Sequence, residues 1–467
     1  MISEPCDAFV FFGASGDLAY KQIFPSLQRL IRDDGMNVPI IGVAKSDWTL
    51  DDLKLRARDS LEHHGGVDEE AFARLLDLLR YVDGDYRTPG TFTRLRQELG
   101  DAKRPLHYFA IPPSMFATVT EGLAGADATA NARIVLEKPF GRDLFSAQEL
   151  NRILHEHFPE ESIFRIDHYL GKEPVQNILY TRFANPMFEP IWNREHVRSI
   201  QITMAEDFGV EDRGRFYEEA GAIRDVIQNH MLQVLASLTM EPPTGEPTEA
   251  LRNEKARLLK SIRPLTPADV VRGQYEGYRA TKGVSPSSMV ETFAAVRLRI
   301  DSWRWADVPI YIRAGKQLAT TATEVVVEFK RPPRETFGEI VPSLSSHMRI
   351  RISPDIVIAM GLRVKAPGER MVGSDVELTL TRQPARDMPP YQRLLGDALR
   401  GIPELFARQD AVEAQWRVVD SILGGVTPLY SYAPGAWGPD EAFQLIGSDG
   451  PWLNPRAPDP PGRRTEG

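Results

Sequence analysis

The sequence predicts two domains, an α/β domain built on a doubly wound parallel sheet and an α+β domain with a large, mainly antiparallel sheet. Short apolar runs alternate with helical stretches up to about residue 166, which is typical of βαβ units. Beyond that point, segments that alternate apolar and polar residues surround one long amphipathic stretch, as in an antiparallel sheet with one covered face. We therefore expect the domains at residues 1–166 and 167–454.

The individual elements follow from these patterns. In the first domain we predict strands at 8–12, 38–44, 106–111 and 133–138, and helical structure over 50–79. In the second domain we predict one helix over 220–240 and strands at 199–205, 292–300, 324–329 and 375–380. Residues 455–467 contain too few apolar side chains to pack, so we expect a disordered tail.

Composition and charge narrow the possible functions. The 467 residues include 56 Lys and Arg against 65 Asp and Glu, a net charge of −9, which disfavours general binding to nucleic acid or a membrane surface. A single cysteine, Cys6, cannot form an internal disulfide or a Cys-rich zinc site, so we expect no structural metal. Because the N-terminus also lacks the pattern of a signal peptide, we predict a soluble cytoplasmic protein.

A glycine-containing turn follows the first predicted strand and reads G-A-S-G-D-L-A, with Gly13 and Gly16 as its glycines. Glycines let the backbone approach a pyrophosphate, and the N–H groups that open the next helix favour negative charge. The spacing is shorter than the usual dinucleotide fingerprint, so a structural turn is the alternative. The position between a strand and a helix favours a nucleotide cofactor.

The end of the second predicted strand indicates which nucleotide is bound. Enzymes selective for NAD usually place Asp or Glu there, to hold the ribose 2′-hydroxyl. This chain has Lys45 and Ser46, and a lysine attracts a 2′-phosphate. We therefore predict NADP, with NAD as the weaker alternative; an ordinary surface charge is the other interpretation of Lys45.

Two polar segments of the first half are candidates for binding anions. In E-K-P-F-G, Lys138 follows a predicted strand, where it could bind a phosphate or a sugar hydroxyl, or be a surface charge. The segment R-I-D-H-Y-L-G-K-E contains His168, Tyr169 and Lys172, each of which can donate to anionic oxygens. These three residues predict a phosphate cradle, and a polar loop without function is the alternative.

The long predicted helix carries His230 within its apolar stripe. Counted from Ile223 at 100° per residue, the histidine lies at about 340°, among the apolar side chains. It is either a core histidine with satisfied nitrogens or a desolvated general base held by a carboxylate. Because Asp225 lies about 140° away around an α-helix, we predict that Asp167 orients the histidine, which leaves Asp225 and Glu206 to bind substrate hydroxyls.

Several motifs resemble, in their order and spacing, the glucose-6-phosphate dehydrogenase family. They are G-A-S-G-D-L-A, E-K-P-F-G, R-I-D-H-Y-L-G-K-E, R-F-A-N-P, I-W-N-R, G-A-I-R-D-V-I-Q-N-H and I-R-A-G-K. Each motif is weak alone, but the complete ordered set is very specific. The match runs from about residue 8 to about residue 330, and more loosely to about residue 440.

The resemblance implies an N-terminal Rossmann domain and homodimers or homotetramers built through the second domain's sheet. It implies oxidation of β-D-glucose 6-phosphate at C1 to 6-phospho-D-glucono-1,5-lactone with reduction of NADP, the first step of the oxidative pentose phosphate pathway. By this resemblance His230 takes the proton of the C1 hydroxyl and Asp167 orients it. The matched substrate-binding residues are Lys138, His168, Tyr169, Lys172, Glu206, Asp225 and Lys316. The matched cofactor-binding residues are Gly13, Ser15, Gly16, Asp17, Leu18, Lys45 and Lys138.

Three positions depart from the family pattern. Gln22 and Thr321 stand where many members have lysines, and Lys45 stands where an arginine is frequent. Gln22 and Thr321 favour a lower affinity for the substrate phosphate. Lys45 keeps the positive charge of an arginine but loses its bidentate geometry, so the strength of the NADP preference stays open. A related sugar-phosphate dehydrogenase with altered substrate or NAD preference is one alternative, and a non-catalytic NADP-binding protein is another. The joint presence of His230, Asp167 and Lys172 disfavours the latter, because a binding module needs no base and no residue to orient it.

Overall fold

The structure, a computed structural model, describes residues 4–245, 247–334, 336–338, 340, 342, 346–381 and 388–456. These residues divide into two compact units. The first unit contains the described residues of Met1–Lys172, Pro243–Asn253 and Arg386–Glu413. The second unit contains those of Glu173–Pro242, Glu254–Ala385 and Ala414–Gly467. The domain boundaries at 166/167 and 454/455 stay predictions, and residues 457–467 of the expected tail lie outside the described residues.

The sheet of the first unit is parallel throughout. Its strands are β1 (Ala8–Phe12), β2 (Ile40–Ala44), β3 (Leu79–Asp83), β4 (Pro105–Phe109), β5 (Arg133–Leu136) and β6 (Ile163–Arg165). They pair in the order β3-β2-β1-β4-β5-β6, which confirms the predicted doubly wound fold. The strand order reverses between β1 and β4, the place where such sheets bind their ligands.

The second unit contains a nine-stranded sheet. Its strands are β7 (Val197–Ala205), β8 (Val270–Tyr275), β9 (Phe293–Leu298), β10 (Ile310–Gly315), β11 (Ala322–Phe329), β12 (His347–Ser353), β13 (Val357–Lys365), β14 (Gly373–Thr381) and β15 (Leu429–Tyr432). The order is β14-β13-β12-β11-β7-β10-β9-β8-β15. Among the described strands of this sheet, only β7–β10 and β8–β15 pair in parallel, so the predicted mainly antiparallel sheet is confirmed.

The α-helices are, in chain order, α1 (Phe24–Asp34), α2 (Leu50–His63), α3 (Glu69–Leu78), α4 (Pro89–Leu99), α5 (Phe116–Gly125), α6 (Leu144–His155), α7 (Glu173–Phe183), α8 (Gly214–Ala222), α9 (Leu232–Thr239), α10 (Pro247–Ser261), α11 (Pro390–Arg400), α12 (Gln409–Val419) and α13 (Glu441–Ile446). The helical stretch predicted over 50–79 is two helices. Thr49 and Asp68 cap α2 and α3 by accepting from backbone N–H groups, and Gly65 and Gly66 between the helices have positive φ. Among the described residues, no helix is both long and apolar enough to cross a bilayer.

Helix α11 belongs to the first unit, although it comes from the last fifth of the chain. Leu394 and Leu395 are fully buried in the same core as Leu27 and Leu30 of α1. The backbone N–H of Cys6, just before β1, donates to Leu399 O at 2.8 Å. The core of the parallel-sheet unit is therefore completed by residues that the sequence pattern did not assign to it.

Candidate active site

The glycine turn lies directly after β1 and leads into a π-helical segment, Ala19–Ile23, that precedes α1. Gly13 has φ +82°, and a Cβ built there would lie 2.2 Å from Ala110 O. No other residue fits this position without moving the backbone. The N–H of Gly16 donates to Gly13 O at 2.9 Å, which closes the turn. The close backbone approach fits the bound pyrophosphate of a dinucleotide.

The end of β2 lies beside this turn, as the sequence predicts. The N–H of Gly13 donates to Val43 O at 2.9 Å, and the hydroxyl groups of Ser15 and Ser46 are 2.5 Å apart. Asp17 is exposed, with its carboxylate 3.7 Å from the Lys21 ammonium. Leu18 packs against the core of the first unit. The structure thus brings the predicted cofactor residues of the turn next to the strand end that carries Lys45.

Lys45 is already paired with a carboxylate. Its ammonium lies 2.9 Å from Asp85 Oδ2, and the side chain is 69% exposed. A hydrogen bond from Lys45 lowers the pKa of Asp85, and the same bond raises the pKa of Lys45. A second acid, Asp83, accepts from the N–H groups of Ser46 and Asp47. Neither aspartate was expected from the sequence, because Asp83 ends the unpredicted strand β3 and Asp85 follows it. Their negative charges reduce the attraction of the β2 end for a phosphate.

Lys138 lies beside a hydrogen-bonded group of buried side chains that the sequence pattern does not predict. It follows β5, is half-buried, and forms a cis peptide bond with Pro139. The neighbouring carboxyl of Glu137 accepts hydrogen bonds from the phenols of Tyr108 and Tyr391. Burial raises the pKa of Glu137 to about 7, although the hydrogen bonds from the two tyrosines act in the opposite direction. Tyr391 comes from α11, so the C-terminal part of the chain contributes directly to the surroundings of Lys138.

The segment from Asp167 to Lys172 forms consecutive turns rather than an extended strand. The N–H of Leu170 donates to Asp167 O, and that of Lys172 donates to Tyr169 O. The Lys172 ammonium lies 4.0 Å from the centroid of the Tyr169 ring, and the His168 ring lies 5.2 Å from the same ring, centroid to centroid. The structure therefore brings the three predicted phosphate-binding side chains together in the first unit.

Asp167 itself is 3% exposed. Its Oδ1 accepts from the N–H of Tyr169 at 3.0 Å, which fixes the carboxylate at the start of the turns. Burial raises the pKa of Tyr391, the phenol that also bonds Glu137, and the charges of Glu137 and Asp167 act in the same direction. Asp167, the turns that follow it and Lys138 are thus grouped around the carboxyl ends of β5 and β6.

His230 and Asp225 lie on a π-helical segment, Ile223–Met231, between α8 and α9. The predicted uniform α-helix over 220–240 is therefore wrong in its periodicity. In a π-helix the backbone hydrogen bond joins residues five apart, so Asp225 and His230 lie one above the other in successive turns. The separation of about 140° expected for an α-helix does not apply. His230 is 2% exposed. Burial is expected both of a core histidine and of a desolvated general base, so it agrees with both interpretations.

Glu206 and Lys316 form an ion pair in the second unit. Glu206 follows β7 and Lys316 follows β10, and these two strands pair in parallel with Ala205 opposite Gly315. The residues that come next therefore meet, with the Lys316 ammonium 2.5 Å from Glu206 Oε2. Thr321 bonds instead to Asp207, whose N–H donates to the threonine hydroxyl at 3.0 Å.

A buried phenol, Tyr217 of α8, faces this ion pair. Its ring centroid lies 5.8 Å from the Lys316 ammonium, and the side chain is 3% exposed. Burial raises the pKa of Tyr217 well above its ordinary value, and the charges of Asp225 and Glu206 act in the same direction. Two carboxylates, an ammonium and a phenol thus form a set that can hydrogen-bond several hydroxyl groups of one polyol.

Comparison with known proteins covers nearly the whole chain. Residues 10–177 match the family model described as "Glucose-6-phosphate dehydrogenase, NAD binding domain", and residues 179–453 match the corresponding C-terminal domain. The chain is 42% identical to "Glucose-6-phosphate 1-dehydrogenase 1" of Mycobacterium tuberculosis, over 97% of this chain and 98% of that protein. It is 39% identical to the cytoplasmic isoform of glucose-6-phosphate 1-dehydrogenase from Solanum tuberosum, over 95% and 92%.

Solved structures give the same picture. The crystal structure of glucose-6-phosphate 1-dehydrogenase from Mycobacterium avium has a TM-score of 0.91 and 43% identity, with 98% of this chain and all of that chain covered. A glucose-6-phosphate dehydrogenase in complex with glucose 6-phosphate has a TM-score of 0.89 and 34% identity, with 97% of this chain and all of that chain covered.

Proposed function

Because the chain belongs to the glucose-6-phosphate dehydrogenase family, we propose that it oxidises β-D-glucose 6-phosphate at C1 and transfers the hydride to NADP. The product is 6-phospho-D-glucono-1,5-lactone, and the reaction opens the oxidative pentose phosphate pathway. The observation that carries the proposal is identity of about 40% to enzymes of this name along almost their whole length. We also propose a cytoplasmic location, by similarity to the cytoplasmic isoform.

In this reaction His230 acts as the general base. Its imidazole takes the proton from the C1 hydroxyl as the C1–H bond breaks and the C1–O double bond forms. The nicotinamide, when bound, accepts the hydride. Asp167 holds the second ring nitrogen, which fixes the tautomer and stabilises the imidazolium. The buried position of His230 supports this role, because exclusion of water strengthens the electrostatic interactions among the reacting groups.

The remaining residues bind the two ends of the substrate. His168, Tyr169 and Lys172 hold the phosphate, which suits the neighbouring imidazole, phenol and ammonium groups observed there. Lys138, Glu206, Asp225 and Lys316 bind the sugar hydroxyls. The ion pair of Glu206 and Lys316 supports this assignment, since the two groups together offer both acceptors and donors. A pair of a lysine and a glutamate can hold a polyol through hydrogen bonds to its hydroxyl groups.

NADP is the proposed cofactor, held at the turn of Gly13, Ser15, Gly16, Asp17 and Leu18. Lys45 would contact the 2′-phosphate. The ion pair between Lys45 and Asp85 must then weaken when that phosphate binds. We therefore expect a moderate preference for NADP over NAD rather than exclusive use of NADP.

The formation of the reduced cofactor, measured at 340 nm, tests the function and this preference together. Wild-type protein with glucose 6-phosphate should reduce NADP with a higher kcat/KM than NAD. Lys45→Ala should lower kcat/KM for NADP about tenfold, the loss of one charge-assisted contact, and leave the value for NAD within about twofold. Lys54→Ala is the matched control, because Lys54 also pairs with an aspartate, Asp51 at 3.8 Å, but lies on α2 and not on the turn or at the end of β2.

Two results would contradict these assignments. Binding of both ligands without any turnover would exclude the dehydrogenase function. Equal loss of NADP and NAD activity in Lys45→Ala would exclude a contact between Lys45 and the 2′-phosphate.

We propose that the chain forms a homodimer, or a homotetramer made of two such dimers, through the second unit's sheet. Strand β14 is the edge of the described sheet and pairs only with β13. On one face of this pair, Leu362, Val376, Leu378 and Leu380 are between 37% and 73% exposed. An exposed apolar patch next to an open strand edge favours association, and a second copy of the chain covers it best because it offers the same apolar surface.

Charged substitutions on this face test the proposed dimer. Leu378→Lys combined with Leu380→Lys should convert the oligomer to monomers, because two ammonium groups would be desolvated in each half of the interface. Molar mass by light scattering after size-exclusion chromatography measures the change. Thr379→Lys is the control, since Thr379 is exposed on the opposite face of the same strand. Unchanged mass in the double variant would show that another surface forms the oligomer.

A further inference from the structure

A buried glutamate, Glu291, holds the first turn of the helix that carries Asp225 and His230. Helix α8 is interrupted at Gly221, which has φ +64° and ψ 175°. The π-helical segment therefore begins anew at Ala222 and Ile223, whose N–H groups need acceptors outside the helix. Glu291 supplies both acceptors. Its backbone carbonyl accepts from Ala222 N at 3.0 Å, and its Oε1 accepts from Ile223 N at 3.3 Å.

The same carboxylate is tied to the sheet. Its Oε2 accepts from Arg272 Nε of β8 at 3.3 Å, and Glu291 itself lies two residues before β9. Glu291 is 6% exposed and Arg272 is 2% exposed. A buried ion pair of this kind is weak evidence for a gain in stability, because desolvation offsets most of the attraction. The ion pair lies at the start of the helix that carries Asp225 and His230, and this position indicates a role beyond stability.

The fit around Glu291 requires glycine at position 221. A Cβ at Gly221 would lie 2.5 Å from Glu291 Oε1, so the kink and the carboxylate are packed against each other. A negative charge at a helix N-terminus is also favourable, since it faces the positive end of the helix dipole. At the other end of the segment, Gln415 Nε2 donates to Asn229 O at 3.1 Å. Both ends of the π-helical segment are therefore held by buried side chains from other elements.

We propose that Glu291 is a positioning residue for His230 and Asp225, which it places by anchoring the start of their helix to strands β8 and β9. The proposal rests on the proposed function, in which both residues contact the sugar. A shift of the helix start displaces these two side chains together, because they lie on successive turns of one short segment. Misplacement of a reacting group by about 1 Å costs on the order of a hundredfold in rate.

Three variants separate positioning from stability. Glu291→Ala should lower kcat about a hundredfold and raise KM for glucose 6-phosphate, while the Kd for NADP, which binds the first unit, stays unchanged. Glu291→Gln should recover much of the rate, because its amide oxygen can still accept from Ile223 N. The control is Glu324→Gln, which removes the charge from another buried pair of the same sheet, Glu324 with Arg351 at 2.9 Å. Glu324→Gln should lower the melting temperature but leave kcat within about twofold of wild type, as expected when a substitution changes stability but not the position of the reacting groups.

Amide hydrogen exchange of the peptide 222–231 provides a readout that does not depend on activity. Exchange should be faster in Glu291→Ala than in wild type, and unchanged in Glu324→Gln. If the wild type fails to oxidise glucose 6-phosphate, the proposed function fails, and the exchange result still decides whether Glu291 anchors the helix. Unchanged exchange, or a kcat within twofold of wild type in folded Glu291→Ala, would overturn the proposal. If Glu291→Ala does not fold, Glu291→Asp takes its place. Its shorter carboxylate cannot bridge Ile223 N and Arg272 Nε, so its kcat should fall well below that of Glu324→Gln, and an equal kcat in these two variants would overturn the proposal.

Discussion

His230→Asn should abolish most turnover, with kcat lowered by about 10²- to 10⁴-fold, because an amide cannot accept the C1 hydroxyl proton. The Kd for NADP should change little, since His230 lies on the second unit and the glycine turn on the first. Single-turnover formation of the reduced cofactor measures the rate, and quenching of protein fluorescence measures cofactor binding. The effect should persist at saturating substrate, because the missing group acts in the transition state.

His107→Asn is the matched control for a purely structural histidine. His107 is fully buried on β4, and its Nε2 is 2.8 Å from Ala128 O. Burial lowers the pKa of His107 to about 4, so it is neutral in the folded state. Its replacement should lower the melting temperature and leave kcat of the folded protein intact. A similar pattern for His230→Asn, with lost stability and retained kcat, would identify His230 as a core residue.

Gly13→Ala should destabilise the protein and remove cofactor binding. The added Cβ would lie 2.2 Å from Ala110 O, in a backbone conformation with φ +82°. The conformation costs about 1–2 kcal/mol for a residue with a Cβ, and the clash with backbone adds about 1–3 kcal/mol. Since Ala110 follows β4 next to the turn, relief of the clash moves the two strand ends that flank the cofactor. Thermal melting and titration with NADP measure the two effects.

Gly35→Ala separates the contribution of the clash from that of the conformation. Gly35 ends α1 with φ +66°, and no atom lies within 4 Å of a Cβ built there. This variant should therefore show only the conformational cost and normal cofactor binding. If Gly13→Ala melted no lower than Gly35→Ala and bound NADP normally, the close backbone approach at Gly13 would not be needed for the cofactor.

The sequence predicts well where a local pattern decides the structure. The apolar run at β1 and the glycines after it are read correctly, because burial and positive φ leave few choices of residue. The short strand β3 was missed, and with it Asp83 and Asp85, since its pattern L-R-Y-V-D is half polar and continuous with a helix. The consequence is chemical: the pairing of Lys45 with Asp85 changes the expected strength of NADP selection.

The π-helical segment shows a different limit. Its residues have the same apolar spacing as an α-helix, so periodicity assigned Asp225 and His230 to different faces. The kink at Gly221 and the acceptors of Glu291 come from residues about 70 positions apart, and no local pattern encodes that contact. Tyr391, which bonds Glu137 across an even longer separation, was missed for the same reason. Propensity and spacing describe neighbours along the chain, whereas these partners are set by tertiary packing.

The late position of α11 in the chain affects how the parallel-sheet unit can be made by a ribosome. Leu394 and Leu395 fill the same core as α1, yet they are synthesised after more than 350 intervening residues. The nascent N-terminal segment therefore exposes apolar surface until nearly the entire polypeptide has emerged, at a synthesis rate of about 5–20 residues per second. A chaperone that shields such surface during translation would act on this segment first, and early termination products would be prone to aggregate.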